Sequence, residues 1–118
     1  MGELTASVDK VDLAPPIGSF MTGFAARIHP ATGTHDPIMA RAVLLDNGDT
    51  QFAIVSCDPI GFTPAAVAEM RARIAERSNI PGQNVLICCT HTHSGPASMP
   101  MRGALGQVNN NWLDLAQA

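Results

Sequence analysis

The sequence has no tyrosine, a single tryptophan and few charged residues, which make up 14% of its 118 positions. The formal net charge is only −3 and there is no basic patch, so nucleic acid is not an expected partner. No apolar run approaches the roughly 20 residues of a membrane-spanning helix, so no transmembrane segment is predicted. The start, MGELTASVDKVDL, lacks the basic and apolar stretches of a signal peptide, which predicts a cytoplasmic location.

Apolar residues make up 46% of the chain, enough to form the core of one modest domain. The chain has three cysteines, Cys57, Cys88 and Cys89, and all of them lie in apolar runs. Free cysteines are usually buried, and a disulfide framework would need more of them in loops. We therefore expect three free, buried thiols.

Local sequence signals predict the order strand, long loop, β-hairpin, helix, strand. Asn47-Gly48 supplies the two turn residues that a tight hairpin needs. Thr63 is a good N-cap, and Pro64 suits the first helical position because a missing N–H costs nothing there. The predicted segments are a strand over 4–13, a loop over 14–37, hairpin strands over 38–45 and 50–57, a helix from 64 to 77 and a strand over 84–89.

The segment from residue 51 to 89 reads as a strand–helix–strand unit, whose two strands run parallel through a right-handed crossover. The predicted fold class is α/β, with a mixed β-sheet that combines a β-hairpin and a right-handed βαβ crossover within a larger catalytic domain. The strand over 50–57 is apolar on both faces, which predicts a central place in the sheet, and the strand over 84–89 is a continuous apolar run, which predicts burial on both faces. Arg41 is a charge inside the hairpin and is expected either to point to the edge or to pair with a carboxylate.

The carboxyl ends of the two parallel strands lead to Asp58 and to the segment Thr90–His93. Ligands of open α/β sheets bind beyond this edge. His91 and His93 are two residues apart, and in an extended segment such positions face the same side. Histidine is the commonest metal ligand, but a solvated loop whose histidines cap nearby carbonyls is the alternative. Asp58 either orients an imidazole N–H or caps its own turn.

A catalytic zinc ion takes about three protein ligands and a water molecule. Besides His91 and His93, the candidates within this chain are His29, His35, Asp58 and the cysteines. His29 and His35 lie in the long loop, where a surface position is the alternative for each. Phosphate-binding loops, HExxH, G-x-S-x-G and C-x-x-C are all absent from the sequence.

The stretch THTHSGP, residues 90–96, resembles a motif of the neutral ceramidase family, the zinc amidases that cleave ceramide. Other stretches resemble the family in the same order, so the likeness runs from about residue 5 to 97. They are Val11-Asp12-Leu13, Pro16, Gly18, Met21, Gly23-Phe24-Ala25, Gly33-Thr34-His35, Ala40-Arg41-Ala42, Ser56-Cys57-Asp58 and Asn84-Val85.

The resemblance implies roles for three residues and names the cofactor. His91 would be a zinc ligand, His93 would lie beside the scissile amide, and Gly23 would approach the substrate. The implied reaction is zinc-dependent hydrolysis of the amide bond in an N-acyl, ceramide-like lipid of sphingolipid metabolism. Zinc would activate water and polarise the carbonyl. Many members of the family are secreted, in contrast to the cytoplasmic expectation above.

The family's remaining zinc ligands are a later His, a Glu and a Tyr, whereas this chain has no Tyr and no His after His93. The resemblance therefore implies that residues 1–118 form a single partial domain, with 14–37 as a functional loop and the remaining domain C-terminal to it. We expect the isolated chain to be inactive. The alternatives are a non-catalytic fragment or binding module that retains the fold, and a different metallohydrolase that uses H-x-H.

Overall fold

The computed structural model describes residues 2–101 and 108–118, which form one four-stranded sheet with helices and a long loop. The strand order is β1-β2-β3-β4; the first three strands are antiparallel, and β4 runs parallel to β3. This mixed α/β architecture confirms the predicted fold class. The elements are β1 Thr5–Asp12, β2 Met39–Asp46, β3 Gln51–Cys57, α1 Pro64–Arg77, a 3₁₀ turn Gly82–Asn84, β4 Val85–Cys89 and α2 Asn110–Gln117.

The hairpin between β2 and β3 forms at the predicted Asn-Gly turn. Gly48 adopts a φ of 88°, a conformation that glycine reaches without a steric penalty. The side-chain oxygen of Asn47 accepts hydrogen bonds from the backbone N–H groups of Asp49 and Thr50, at 3.1 and 2.8 Å. These bonds close the turn and fix the register of the two strands.

Helix α1 begins and ends where its capping residues predict. The hydroxyl of Thr63 accepts a hydrogen bond from the N–H of Ala66 at 3.1 Å, and Pro64 is the first helical residue. The helix gives way to extended backbone at Ser78. Arg71 then joins the helix to the sheet, because its Nε donates to the carbonyl of Val85 at 2.8 Å.

The hydrophobic core lies on one face of the sheet, between β2, β3, β4 and α1. Its buried members are Ala53, Ile80 and Val85, and the partly buried side chains around them are Leu44, Val55, Ile74 and Ile87. The opposite face is open, with Phe52 38% and Leu86 45% exposed. β3 lies inside the sheet, between β2 and β4, as predicted. The prediction that β4 is buried on both faces was wrong, because α1 covers only one side.

The exposure of the three cysteines also differs between the covered and the open face of the sheet. Cys57 is buried and Cys89 is half-buried, but Cys88 is exposed, so the prediction of three buried thiols was wrong for Cys88. Adjacent residues of a strand point to opposite faces, which puts Cys88 on the open side. Burial, reinforced by the neighbouring Cys89, Cys88 and Asp58, raises the pKa of the Cys57 thiol to about 12.

These environments predict an order of reaction with iodoacetamide in the folded protein at pH 8. Only the thiolate reacts, so Cys88 should be alkylated first, Cys89 more slowly and Cys57 last. Peptide mass spectrometry over a time course measures all three rates at once. In denaturant the three rates should converge; early modification of Cys57 in the folded protein would contradict the sheet orientation.

The last described element is a second helix, α2, which was not predicted from the sequence. The side chain of Asn109 caps it by accepting from the N–H of Trp112 at 3.1 Å. Trp112 is 4% exposed, and its indole N–H donates to the carbonyl of Leu13 at 2.7 Å, at the start of the long loop. No helix within residues 2–101 and 108–118 is long and apolar enough to cross a membrane.

Candidate metal centre

The candidate site lies at the edge where β3 and β4 end together. Cys57 and Cys89, the last residues of the two strands, are register partners. Two backbone hydrogen bonds continue the pairing beyond the strands: Thr90 N–H donates to the Cys57 carbonyl at 2.8 Å, and Thr92 N–H to the Asp58 carbonyl at 2.9 Å. Asp58 and the segment that carries both histidines therefore leave the sheet side by side.

The carboxylate of Asp58 connects three elements at this edge. It accepts hydrogen bonds from the backbone N–H of Met39 at 2.8 Å, the hydroxyl of Thr90 at 3.1 Å and the guanidinium of Arg41 at 3.1 Å. Partial burial raises the pKa of Asp58, but these three hydrogen bonds outweigh it and hold the pKa below its usual range. Arg41 thus pairs with a carboxylate, one of the two roles considered for it, and Asp58 secures Thr90 next to the histidines.

His91 has an unusual backbone conformation and an anchored side chain. Its φ is 71°, the left-handed region that few residues other than glycine adopt. Its Nδ1 lies 2.7 Å from the carbonyl oxygen of Ile60. A carbonyl oxygen only accepts hydrogen bonds, so Nδ1 carries the hydrogen and the lone pair of a neutral ring is on Nε2. In metal-binding histidines, the nitrogen that does not bind the metal is usually held by a carbonyl or carboxylate in the same way.

His93 lies beside His91, with ring centroids 4.9 Å apart. The sequence analysis expected this proximity from an extended segment, but the structure reaches it through the left-handed turn at His91. The ring of Phe24 packs edge-on against His93 at a centroid distance of 5.8 Å. The guanidinium of Arg27 lies over Phe24, 5.2 Å from the ring centroid.

The long loop is held against the H-x-H segment by backbone contacts. Thr22 N–H donates to the Gly95 carbonyl at 2.9 Å, and Met21 pairs with Pro96 in an isolated β-bridge. Gly23 has a φ of 104°, and a Cβ added to it would lie 2.5 Å from the Cβ of His93. Only glycine fits this position, and the structure brings Gly23 into direct contact with His93.

A polar cleft of about 710 Å³ lies between the sheet edge and the long loop. Asp58, Thr90 and Thr92 line it on the sheet side, and His29 and His35 on the loop side. The imidazole of His35 pairs with Asp36 at 3.0 Å, and both side chains are almost fully exposed. Within residues 2–101 and 108–118, no three His, Cys, Asp or Glu side chains are grouped as a metal site would require. His91 and His93 are the pair that the structure brings together.

Two contributors to the site were not identified from the sequence. The carbonyl of Ile60 is a backbone group, which every residue carries, so the sequence has no signal for it. Phe24 was not assigned a role in the site, although its contact with His93 gives it a place there. Its neighbour Gly23, which must be small to reach His93, is the one indication that this part of the loop makes a close contact.

The mixed sheet, its covering helix and the H-x-H edge define an α/β fold with a polar site at the strand ends. Two solved ceramidase structures have this fold. Neutral ceramidase from Pseudomonas aeruginosa superimposes with a TM-score of 0.80 and 20% identity, over 97% of this chain and 20% of its own. A structure described as ceramidase complexed with C2 superimposes with a TM-score of 0.69 and 24% identity, over 80% of this chain and 15% of its own.

The fold resemblance inferred from the sequence is therefore confirmed. The chain spans only about a fifth of the length of the neutral ceramidase that it matches. No protein-family model matches the chain, and neither does any curated protein sequence.

Proposed function

We propose that this chain contributes part of a zinc site that hydrolyses the amide bond of an N-acyl, ceramide-like lipid. The observation that carries the proposal is the anchored imidazole of His91, which lies next to His93 and whose Nε2 has no hydrogen-bond partner among residues 2–101 and 108–118. The ceramidase-like fold and the THTHSGP motif support it. The left-handed backbone at His91 also supports it, because such strained conformations cluster at functional sites.

The donor chemistry of the site fits zinc. A neutral imidazole nitrogen is a preferred zinc ligand, and the Ile60 carbonyl fixes the tautomer that presents Nε2. His91 would hold the ion. When bound, zinc supplies activation of water and polarisation of the amide carbonyl. The backbone hydrogen bonds of Thr90 and Thr92 would keep His91 in place during the reaction.

His93 is the residue of this chain that we assign to proton transfer. Its ring lies beside that of His91, and its packing against Phe24 and Gly23 restricts where the imidazole can point. Histidine is the most frequent general acid or base in enzymes because its pKa is close to neutrality. We propose that His93 donates a proton to the departing amine, and that Gly23, which lies against His93, approaches the substrate.

One chain of this size does not complete the proposed site. A catalytic zinc takes about three protein ligands, and the described residues group no three candidate ligands. The ceramidases of similar fold are about five times longer than this chain or more. We propose that the remaining ligands, a His, a Glu and a Tyr by the family resemblance, come from a further domain.

Zinc binding by single-histidine variants tests the proposal. Equilibrium dialysis against micromolar Zn²⁺, followed by metal analysis, measures binding to the wild type, His91→Ala and His35→Ala. His35 is the matched control, because it is an exposed histidine outside the pair. We expect His91→Ala to lose at least tenfold in zinc affinity, as the removal of a ligand does, and His35→Ala to retain it.

Hydrolysis of a short-chain N-acylsphingosine distinguishes the proposal from the alternatives. A ceramidase-length polypeptide containing residues 1–118 should release the fatty acid, lose activity with a chelator and recover it with Zn²⁺. His91→Ala should abolish this activity. Zinc binding that is equal in wild type and His91→Ala would instead favour a binding module that retains the fold.

A further inference from the structure

The carbonyl that holds His91 belongs to an irregular segment of the chain. Ile60 lies between β3 and α1, where residues 58–63 form neither a helix nor a strand. In a helix or a sheet, the repeating backbone hydrogen bonds set the direction of each carbonyl, whereas a loop carbonyl is held by individual contacts. The position of the His91 ring therefore depends on the contacts that fix the segment around Ile60.

Asp58 fixes the beginning of this segment through its backbone. Its N–H donates to the carbonyl of Met39 at 2.9 Å, and its carbonyl accepts from the N–H of Thr92 at 2.9 Å. These bonds join the segment to β2 on one side and to the H-x-H segment on the other. They hold the chain two residues before Ile60.

Ser98 holds the segment on the other side of Ile60. Its hydroxyl donates a hydrogen bond to the carbonyl of Gly61, the residue directly after Ile60. Ser98 is 1% exposed, so its hydroxyl is shielded from water, and loss of its partner would be costly. This burial does not depend on how long the polypeptide is, because further chain only covers more surface.

Close packing confines the same part of the segment. Pro59 and Ile60 are buried, and Met99 packs directly on Gly61, since a Cβ added to Gly61 would lie 2.9 Å from the sulfur of Met99. The chain that follows the H-x-H segment thus folds back onto the residues that supply the Ile60 carbonyl. In a densely packed interior, a change at Ser98 is transmitted to its neighbours.

The two consecutive carbonyls are held by different side chains: that of Ile60 by His91 at 2.7 Å, and that of Gly61 by Ser98. Only the two dihedral angles of Gly61 separate their peptide planes, and glycine restricts these angles least of all residues. A bond to the second carbonyl therefore limits the directions open to the first. We propose that Ser98 is a positioning residue, which holds the Ile60 carbonyl against His91 and thereby fixes the tautomer with its lone pair on Nε2. The value of this tautomer for zinc binding rests on the proposed function, whereas the tautomer itself does not.

The tautomer of His91 in Ser98→Ala tests the proposal. Long-range ¹H–¹⁵N NMR of the 118-residue chain at pH 8, above the ordinary pKa of an imidazole, gives the population of each tautomer from the two nitrogen shifts. The control is Ser78→Ala, which also removes a serine hydroxyl that donates to a backbone carbonyl, that of Ile74 at 2.6 Å. Ser98→Cys is a second variant that keeps the size of the side chain and a weak donor. Circular dichroism verifies that the variants fold.

We expect the wild type to carry the hydrogen of His91 mainly on Nδ1. In Ser98→Ala the ratio of the Nε2–H to the Nδ1–H form should rise about fivefold, the factor that corresponds to one ordinary hydrogen bond. Ser98→Cys should give a smaller rise, and Ser78→Ala should match the wild type. Zinc affinity in equilibrium dialysis should fall about threefold to tenfold in Ser98→Ala, because loss of a direct partner of a metal ligand costs about tenfold to a hundredfold and Ser98 acts one residue further out.

Two outcomes would overturn the proposal. One is an unchanged tautomer ratio in Ser98→Ala, and the other is an equal change in Ser98→Ala and Ser78→Ala, which would indicate a general loss of stability. Failure of the proposed function gives a different result. Equal zinc binding by the wild type and His91→Ala would contradict the zinc site, while a tautomer change confined to the Ser98 variants would still support the positioning role of Ser98.

Discussion

Replacement of Gly23 by alanine should destabilise the protein by about 2–4 kcal/mol. Two costs add at this position. The φ of 104° is unfavourable for any residue with a Cβ, and the new methyl group would lie 2.5 Å from the Cβ of His93. Neither group can move easily, because the loop and the H-x-H segment are bonded to each other next to this contact, through Thr22 and Gly95 and through Met21 and Pro96.

Gly18 provides a control that separates the two costs. Its φ is 90°, close to that of Gly23, but an added Cβ would meet no heavy atom within 4 Å. Gly18→Ala should therefore lose only the conformational part, about 1–2 kcal/mol. Urea unfolding at 25 °C followed by circular dichroism measures both free energies of unfolding. Equal losses in the two variants would show that Gly23 does not pack against His93 as described.

Replacement of Asp58 by alanine should have the second large effect, a loss of about 2–4 kcal/mol in the free energy of unfolding. The change leaves the N–H of Met39 and the hydroxyl of Thr90 without their acceptor. The ion pair with Arg41 contributes less, because the Arg41 side chain is 52% exposed and solvent screens the charge. Arg41→Gln should accordingly cost about 1 kcal/mol or less.

The contribution of the Asp58 carboxylate to the free energy of unfolding should also depend on pH. The folded-state pKa of Asp58 is lower than its ordinary value, so the carboxylate stabilises the fold above about pH 4 and loses this contribution as the pH falls through the folded-state pKa. The stability difference between the wild type and Asp58→Asn should therefore shrink between pH 5 and pH 3. Urea unfolding at several pH values measures it, and a constant difference would contradict the role assigned to the carboxylate.

The sequence predicted those parts of the fold that local signals determine. The Asn47-Gly48 turn and the Thr63 cap each act within a few residues, so both were located correctly. The parallel pairing of β3 and β4 followed from the helix between them. The burial of β4 was predicted incorrectly, because an apolar run shows that a strand can be covered and does not show which faces are covered.

Helix α2 and the tautomer of His91 could not be predicted from the sequence, because both depend on contacts between residues far apart in the chain. Helix α2 has only eight residues, and its Trp112 is secured by the carbonyl of Leu13, 99 positions earlier. Likewise, the spacing of His91 and His93 suggested a shared site, but the tautomer of His91 depends on the Ile60 carbonyl. The sequence could identify the histidines as candidates, whereas only the fold shows which nitrogen of His91 is held by a carbonyl.

The protonation of the four histidines during a zinc titration tests the central claim most directly. Long-range ¹H–¹⁵N NMR resolves Nδ1 and Nε2 of each imidazole in the 118-residue chain. His29 and His35 serve as internal controls within the same sample. Before zinc is added, His91 should carry its hydrogen on Nδ1; during the titration its Nε2 resonance should shift first. A hydrogen on Nε2 of His91, or a first response at His29 or His35, would contradict the assignment of His91 as the zinc ligand.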